Sequence, residues 1–188
     1  MENFNLSTLL LFIGQAGYFY FPAYVANMTP VLVKWIPWET SISTKYLGAN
    51  KTWRGLTFGC LSAVLTAIGL HHFVTSTGLN YFERFDLSIV QIALVGFLLG
   101  FGALLGDAVE SYFKRKRGIA SGEQWKIADQ VDFTLGATLF VIPWVWDKLL
   151  FALMGMALGS CIQPLVSKFA YAVGWKKRKK TQDKLKMV

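Results

Sequence analysis

Three aspartates stand where two consecutive apolar segments end or begin. Asp107 closes one apolar run, and Asp129 and Asp132 open the next. If the two runs are antiparallel helices, these ends meet, and a spacing of three residues puts Asp129 and Asp132 on one helix face. Mg²⁺ prefers oxygen ligands and is often held by one or two carboxylates together with substrate phosphates. The spacing therefore predicts a metal site formed by Asp107, Asp129 and Asp132.

Hydroxyl and basic side chains follow the first of these aspartates. Ser111 and Lys114 lie four and seven residues after Asp107, on the same helix face, and Arg115 comes next. Cationic groups beside a bound metal would meet phosphate oxygens, which is the arrangement of phosphoryl or nucleotidyl transfer. The alternative is that these charges pair with one another at a membrane interface. For the aspartates we favour a functional role, because acids beside apolar spans are costly.

A second basic group precedes another apolar run. Lys51, Thr52 and Arg54 stand at the expected start of a helix. Backbone N–H groups at a helix N-terminus favour anions, so this turn is suited to binding phosphate. Ordinary positive charge on the cytoplasmic side of a membrane protein explains the same residues equally well.

Two prolines interrupt the first apolar run. Pro22 is expected to kink a helix, and Pro30 is expected to stop one. A broken helix beside the polar Asn27 would line a substrate pocket. A simple helix end is the alternative interpretation of the same segment.

The elements that must position these residues are apolar helices. Of the 188 residues, 54% are hydrophobic and 16% are charged, and the mean hydropathy is +0.41. A helix needs about 20 apolar residues to cross the hydrocarbon core of a bilayer. Five runs approach this length, at residues 6–25, 55–74, 88–109, 131–147 and 148–173. We therefore predict an all-α integral membrane protein with about five transmembrane helices, forming a single domain over residues 1–188.

The distribution of basic residues predicts the orientation. Of the 19 lysines and arginines, only Arg84 and Lys148 lie outside the cell if the C-terminus is cytoplasmic. This asymmetry predicts an N-terminus out and a C-terminus in. Loops 26–54 and 110–130 would then form an active site on the cytoplasmic side of the cell membrane. The basic tail, residues 175–188, fits a topology signal or contact with membrane lipids better than a nucleic-acid partner.

Four short motifs follow one another along nearly the whole apolar region. They are Pro22-Ala-Tyr-Val-Ala-Asn27 with Pro30, Lys51-Thr-Trp-Arg-Gly55, Gly106-Asp107 with Ser111-x-x-Lys114-Arg115, and Asp129-Gln-Val-Asp132-Phe133. Together they resemble the CDP-archaeol synthase family, archaeal-type cytidylyltransferases related to phosphatidate cytidylyltransferases. The wider family carries Lys-Asp and His-Gly-Gly where this chain has Ala120-Ser121 and Trp125-Lys126-Ile127-Ala128. These departures favour the archaeol branch and leave the number of metal ions open.

The resemblance implies an activity, its substrates and its cofactor. The reaction is transfer of CMP from CTP to a lipid phosphate, 2,3-di-O-geranylgeranylglycerol 1-phosphate, giving CDP-archaeol and pyrophosphate. Mg²⁺ would be held by Asp107, Asp129 and Asp132, which with Lys114 would carry catalysis; a second metal ion stays open. Contacts to phosphate and nucleotide would come from Lys51, Thr52, Arg54, Ser111, Lys114 and Arg115. Oligomeric state is not determined, and a homodimer is one alternative.

Two other functions compete with this one. A phosphatidate cytidylyltransferase making CDP-diacylglycerol is close, because grooves for acyl and isoprenoid tails are lined by the same apolar residues. A transporter or a non-catalytic scaffold is more distant, because the charged residues gather at one membrane face and not near the midplane.

Overall fold

The chain folds into an all-helical bundle. In this computed structural model the described residues are 5–80, 83, 85–119, 128–146 and 148–172, and the side chains of 128–130 and 162–172 are not among those described. The basic tail, residues 175–188, therefore lies outside the described part. The α-helices are α1 (Leu6–Leu32), α2 (Trp53–Thr77), α3 (Ile89–Lys116), α4 (Ala128–Phe140), α5 (Ile142–Val145) and α6 (Leu149–Ala172), and a 3-10 helix (Val33–Trp35) follows α1.

The helices have the length and surface of membrane-spanning elements. α1, α2 and α3 are each long and apolar enough to cross a bilayer, and shorter apolar stretches, Val131–Phe140 and Leu149–Cys161, lie within α4 and α6. Large apolar side chains are exposed along the middle of these helices, among them Leu61, Leu65, Phe97, Leu105, Leu135 and Leu139. A bundle whose outer surface is apolar suits a hydrocarbon surrounding and not water. The protein is an integral membrane protein.

α3 occupies the centre of the bundle. It packs against α1, α2 and α4, while α6 packs against α1 and α4. The inner faces meet in a core that contains Tyr20, Leu99, Val141 and Phe151, all fully buried. Two hydrogen bonds connect the layers: the Tyr20 hydroxyl lies 3.0 Å from Thr138 Oγ1, and the Tyr24 hydroxyl donates to the Gly155 carbonyl at 2.8 Å.

α1 is longer than its prolines predict. We expected a kink at Pro22 and an end at or before Pro30, but the helix continues to Leu32 and is capped where the Val33 N–H donates to the Thr29 carbonyl. The prediction of an end at Pro30 is wrong because packing supports the last two turns. The Thr29 hydroxyl lies 2.7 Å from Ser62 Oγ of α2, and Pro30 packs beside Gly55.

α3 also extends beyond its apolar run. The predicted span ended at residue 109, whereas the helix runs to Lys116. Its start is fixed by a capping box between Ser88 and Gln91. The extra two turns carry Ser111 and Lys114 on the same helix as Asp107.

Near the other end of the bundle, the apolar run predicted at 131–147 is broken at Val141, between α4 and the single-turn α5.

A small polar cluster lies at the opposite end of the bundle from Asp107. Glu83, in the segment between α2 and α3, accepts a hydrogen bond from the Tyr18 hydroxyl at 2.9 Å, and its Oε1 lies 2.5 Å from His71 Nδ1. The same carboxylate therefore connects this segment to both α1 and α2.

Candidate active site

The first feature of the site is the close approach of α3 and α4. A Cβ at Gly106 would lie 2.2 Å from the Asp132 carbonyl oxygen, and one at Gly136 would lie 2.2 Å from the Gly102 carbonyl oxygen. A side chain larger than hydrogen at these positions would force the two backbones apart. The glycines therefore bring the start of α4 against the C-terminal half of α3, and Asp132 lies beside Asp107.

Three carboxylates converge at this crossing. One oxygen from each of Asp107, Glu110 and Asp132 lies within 4.8 Å of the others. Such a set of oxygen donors fits a hard divalent cation such as Mg²⁺. Glu110 is buried, and sequence reasoning did not select it. Its spacing from Asp107, three residues on one helix, was the available signal. Asp129 lies in the first turn of α4, but its side chain is outside the described residues.

Two lysines pair with the carboxylates. Lys51 Nζ forms a salt bridge with Asp107 Oδ2, and Lys114 Nζ lies 2.8 Å from Glu110 Oε1. The second pair is almost fully buried, with side-chain exposures of 10% and 6%, whereas Lys51 and Asp107 are exposed by 19% and 30%. The site therefore contains two acid–base pairs, of which one is almost fully buried and the other is partly exposed.

Backbone pairing positions Lys51. The Ile42 N–H donates to the Lys51 carbonyl at 2.8 Å, and an isolated β-bridge joins Ser41 to Thr52. Thr52 is the N-cap of α2, because its hydroxyl accepts from the Gly55 N–H at 3.1 Å. The chain thus turns back on itself just before α2 and directs Lys51 toward α3.

Arg54 has intramolecular partners. Its guanidinium is buried, and Nη1 donates to the Lys34 carbonyl at 3.2 Å and to the Ile36 carbonyl. These are carbonyls of the segment that leaves α1, so Arg54 connects the end of α1 to the beginning of α2. Its Nε is buried without a hydrogen-bond partner among the described groups.

The remaining predicted residues lie on α1 and α3. Ser111 is buried one turn beyond Asp107, and Arg115 Nη1 donates to the Ile119 carbonyl at 2.7 Å. Pro30 lies near the start of α2, beside Gly55. Asn27 is half-buried in α1. Pro22 is not brought to the cluster: it lines a small cavity of about 50 Å³ beside Tyr18 and Glu83, toward the opposite end of the bundle.

An apolar groove leads away from the carboxylates. It has a volume of about 340 Å³ and runs between α3 and α4 from Glu110 and Asp132 toward Phe140. Its walls include Leu105, Val109, Leu135 and Leu139, which are exposed on the outside of the bundle. The groove is therefore open toward the surrounding hydrocarbon and ends at the charged cluster.

The chain matches a known protein family over most of its length. The sequence pattern of the CarS-like CDP-archaeol synthase family matches residues 8–179, which cover all the helices of the described structure except the first two residues of α1. The chain belongs to the CDP-archaeol synthase family. This confirms the resemblance carried by the four motifs.

Individual members of the CDP-archaeol synthase family match over most of their length. The CDP-archaeol synthase of Thermococcus onnurineus (strain NA1) is 35% identical over 92% of this chain and 97% of its own. That of Staphylothermus marinus is 37% identical over 74% of this chain and 75% of its own. A solved intramembrane enzyme for archaeal membrane lipids biosynthesis shares the fold, with a TM-score of 0.64 and 24% identity over 82% of this chain and 92% of the other.

Proposed function

We propose that this protein transfers CMP from CTP to 2,3-di-O-geranylgeranylglycerol 1-phosphate, giving CDP-archaeol and pyrophosphate. The observation that carries the proposal is the family match over residues 8–179. It is supported by a cluster of carboxylates and lysines at the end of an apolar groove, since the reaction joins a charged nucleotide to an amphipathic lipid.

The chemistry requires charge neutralisation more than proton transfer. An oxygen of the lipid phosphate attacks the α-phosphorus of CTP, a new P–O bond forms, and the bond to the β-phosphate breaks to release pyrophosphate. The attacking oxygen is already an anion, so repulsion between negative groups dominates the barrier. Mg²⁺ held by Asp107, Glu110 and Asp132, with Asp129 as a further candidate, would stabilise charge on the reacting phosphates.

The basic residues supply the remaining neutralisation. Lys114 and Lys51 carry flexible ammonium groups at the edge of the carboxylate cluster and would bind phosphate oxygens. Ser111 and Arg115 lie on the same helix and would add contacts to the phosphates. Thr52 and Arg54 stay predicted nucleotide contacts, and in addition they fix the turn that presents Lys51.

The groove is suited to one hydrocarbon tail of the lipid substrate. Its walls are apolar, and it reaches the carboxylates at one end. Transfer of a tail from the bilayer into a groove open to the bilayer exposes little apolar surface to water. The phosphate would then lie at the membrane surface, where nucleotide is available.

We infer one polytopic domain over residues 1–188 with five membrane crossings, in which α4 and α6 complete the set begun by α1, α2 and α3. The N-terminus would be outside and the C-terminus inside, and the site would face the cytoplasm. The basic residues at 51, 54 and 114–117 support this orientation, because they lie at the same end of the bundle as the carboxylates.

The deciding experiment measures pyrophosphate release by the purified protein with CTP and Mg²⁺. The lipids to compare are digeranylgeranylglycerol phosphate, diacyl phosphatidate and no lipid. Release that depends on the isoprenoid lipid is the expected result. Release with phosphatidate alone would favour an enzyme that makes CDP-diacylglycerol. No release with either lipid, from protein shown to be folded, would contradict the proposal.

A further inference from the structure

The two lysines of the site pair with carboxylates that would also bind a metal ion. Lys51 pairs with Asp107, and Lys114 pairs with Glu110. Both lysines reach the cluster from fixed backbone, Lys51 from the bridged turn before α2 and Lys114 from one turn farther along α3.

An ammonium group and a divalent cation cannot share these carboxylates without cost. Even when the two bind different oxygens of one carboxylate, they stand a few Å apart and repel each other. The repulsion is large here because Glu110 and Lys114 are almost completely removed from solvent. Binding of the cation therefore weakens each lysine pair, and each lysine pair weakens binding of the cation.

The charges of the cluster indicate which ligand would bind together with the cation. A divalent cation that binds while both lysines remain adds two positive charges beside their ammonium groups. A polyphosphate supplies the missing negative charge and also offers new partners to the displaced ammonium groups.

We propose that Lys51 and Lys114 act as exchangeable counterions, which hold the carboxylates in the absence of substrate and move to the nucleotide phosphates when the cation binds. This rests on the proposed function and adds to it a rule for binding order. Cation alone and nucleotide alone bind weakly, whereas each strengthens binding of the other by the same factor.

The test measures Mn²⁺ binding to the full-length protein in detergent by electron paramagnetic resonance, with and without CTP and with no lipid. For the wild type we expect CTP to lower the Kd for Mn²⁺ by about tenfold or more. Lys51→Met removes one counterion at a partly exposed position, where loss of the pair is compatible with folding. This variant should bind Mn²⁺ alone about tenfold more tightly, and the effect of CTP should shrink.

Lys34→Met is the matched control, because it removes the same charge from an exposed lysine of the 3-10 helix. It should leave both the Mn²⁺ affinity and its coupling to CTP unchanged. Weaker or unaltered Mn²⁺ binding in Lys51→Met would overturn the proposal, as would a wild type that does not bind Mn²⁺ even with CTP.

Failure of this proposal is distinguishable from failure of the proposed function. The higher Mn²⁺ affinity expected for Lys51→Met is measured without nucleotide or lipid, so it does not depend on the reaction that the protein catalyses. The proposed function depends on pyrophosphate release with CTP and the isoprenoid lipid. A protein that releases pyrophosphate but shows no tightening in Lys51→Met retains its function and refutes the exchange.

Discussion

Gly106 and Asp132 meet through their backbones, since a Cβ at Gly106 would lie 2.2 Å from the Asp132 carbonyl oxygen. This contact, and not a side-chain interaction, sets the separation of α3 from the start of α4. Because Asp107 follows Gly106 directly, the same contact determines how close the Asp107 and Asp132 carboxylates lie.

Gly106→Ala should therefore damage the site through the backbone. The added methyl group pushes α4 away, which should lower the free energy of unfolding by about 1–3 kcal/mol. Displacement of a carboxylate by about 1 Å should reduce activity by about 100-fold. Gly69→Ala is the control, because a Cβ there meets nothing within 4 Å. Thermal unfolding in detergent and pyrophosphate release measure both effects, and a fully active Gly106→Ala variant would contradict this account.

Arg54 provides a test of positioning against nucleotide binding. Its hydrogen bonds to the Lys34 and Ile36 carbonyls connect α1 to α2. Arg54→Gln should lower the free energy of unfolding by about 1–3 kcal/mol, because it removes a charged donor from buried acceptors. Arg54→Lys should recover only part of this loss, since an ammonium lacks the planar geometry of guanidinium. A rise in the KM for CTP with unchanged stability would instead show that Arg54 contacts the nucleotide.

Glu110 and Lys114 should behave as a coupled pair. Glu110→Gln removes the carboxylate that lies 2.8 Å from the buried Lys114 ammonium and should cost about 3–5 kcal/mol of stability. The double variant Glu110→Gln, Lys114→Met should regain stability but not activity. A double-mutant cycle from chemical unfolding gives the coupling free energy. Additive effects on stability would mean that the pair does not act as a unit.

The groove between α3 and α4 should determine how tightly the lipid binds. Leu135→Trp fills part of a groove of about 340 Å³ and should raise the KM for the lipid phosphate by about tenfold, a loss equivalent to one or two methylene contacts. The KM for CTP should not change. Leu65→Trp, at an exposed position on α2 outside the groove, is the matched control. Equal effects of the two variants would remove the groove from the substrate site.

The cluster at the opposite end of the bundle should contribute to stability alone. Glu83 accepts from Tyr18 and lies 2.5 Å from His71. His71→Phe should lower the free energy of unfolding by about 1–3 kcal/mol, because Glu83 loses a partly buried partner. His72→Phe, at the exposed neighbouring position, should have little effect. Turnover at 25 °C should be the same in both variants, and loss of turnover in His71→Phe would reveal a link to the active site.

The sequence predicted those parts of the structure that depend on local pattern. Five apolar runs correspond to helical segments, since hydropathy and length are properties of each run alone. The grouping of Asp107, Ser111 and Lys114 on one helix follows from the 3.6-residue period. The approach of Asp132 follows from the expectation that two consecutive membrane helices are antiparallel neighbours.

The remaining features depend on contacts between distant segments. The end of α1 at Leu32 could not be predicted because packing against α2 outweighs the effect of Pro30. Glu110 was not among the predicted ligands, because only the crossing with α4 places it beside Asp132. The partners of Arg54 are carbonyls whose positions are determined by where α1 ends.

The side opening of the groove has a kinetic consequence. A lipid substrate that enters and leaves between α3 and α4 stays in one leaflet of the bilayer. Enzyme and substrate therefore meet by lateral diffusion in two dimensions. The rate should then follow the mole fraction of lipid phosphate in the membrane and not its amount per volume of solution. Adding inert lipid while the total amount of substrate stays constant should therefore slow turnover. This surface dilution is typical of enzymes that take up their substrates from within a membrane.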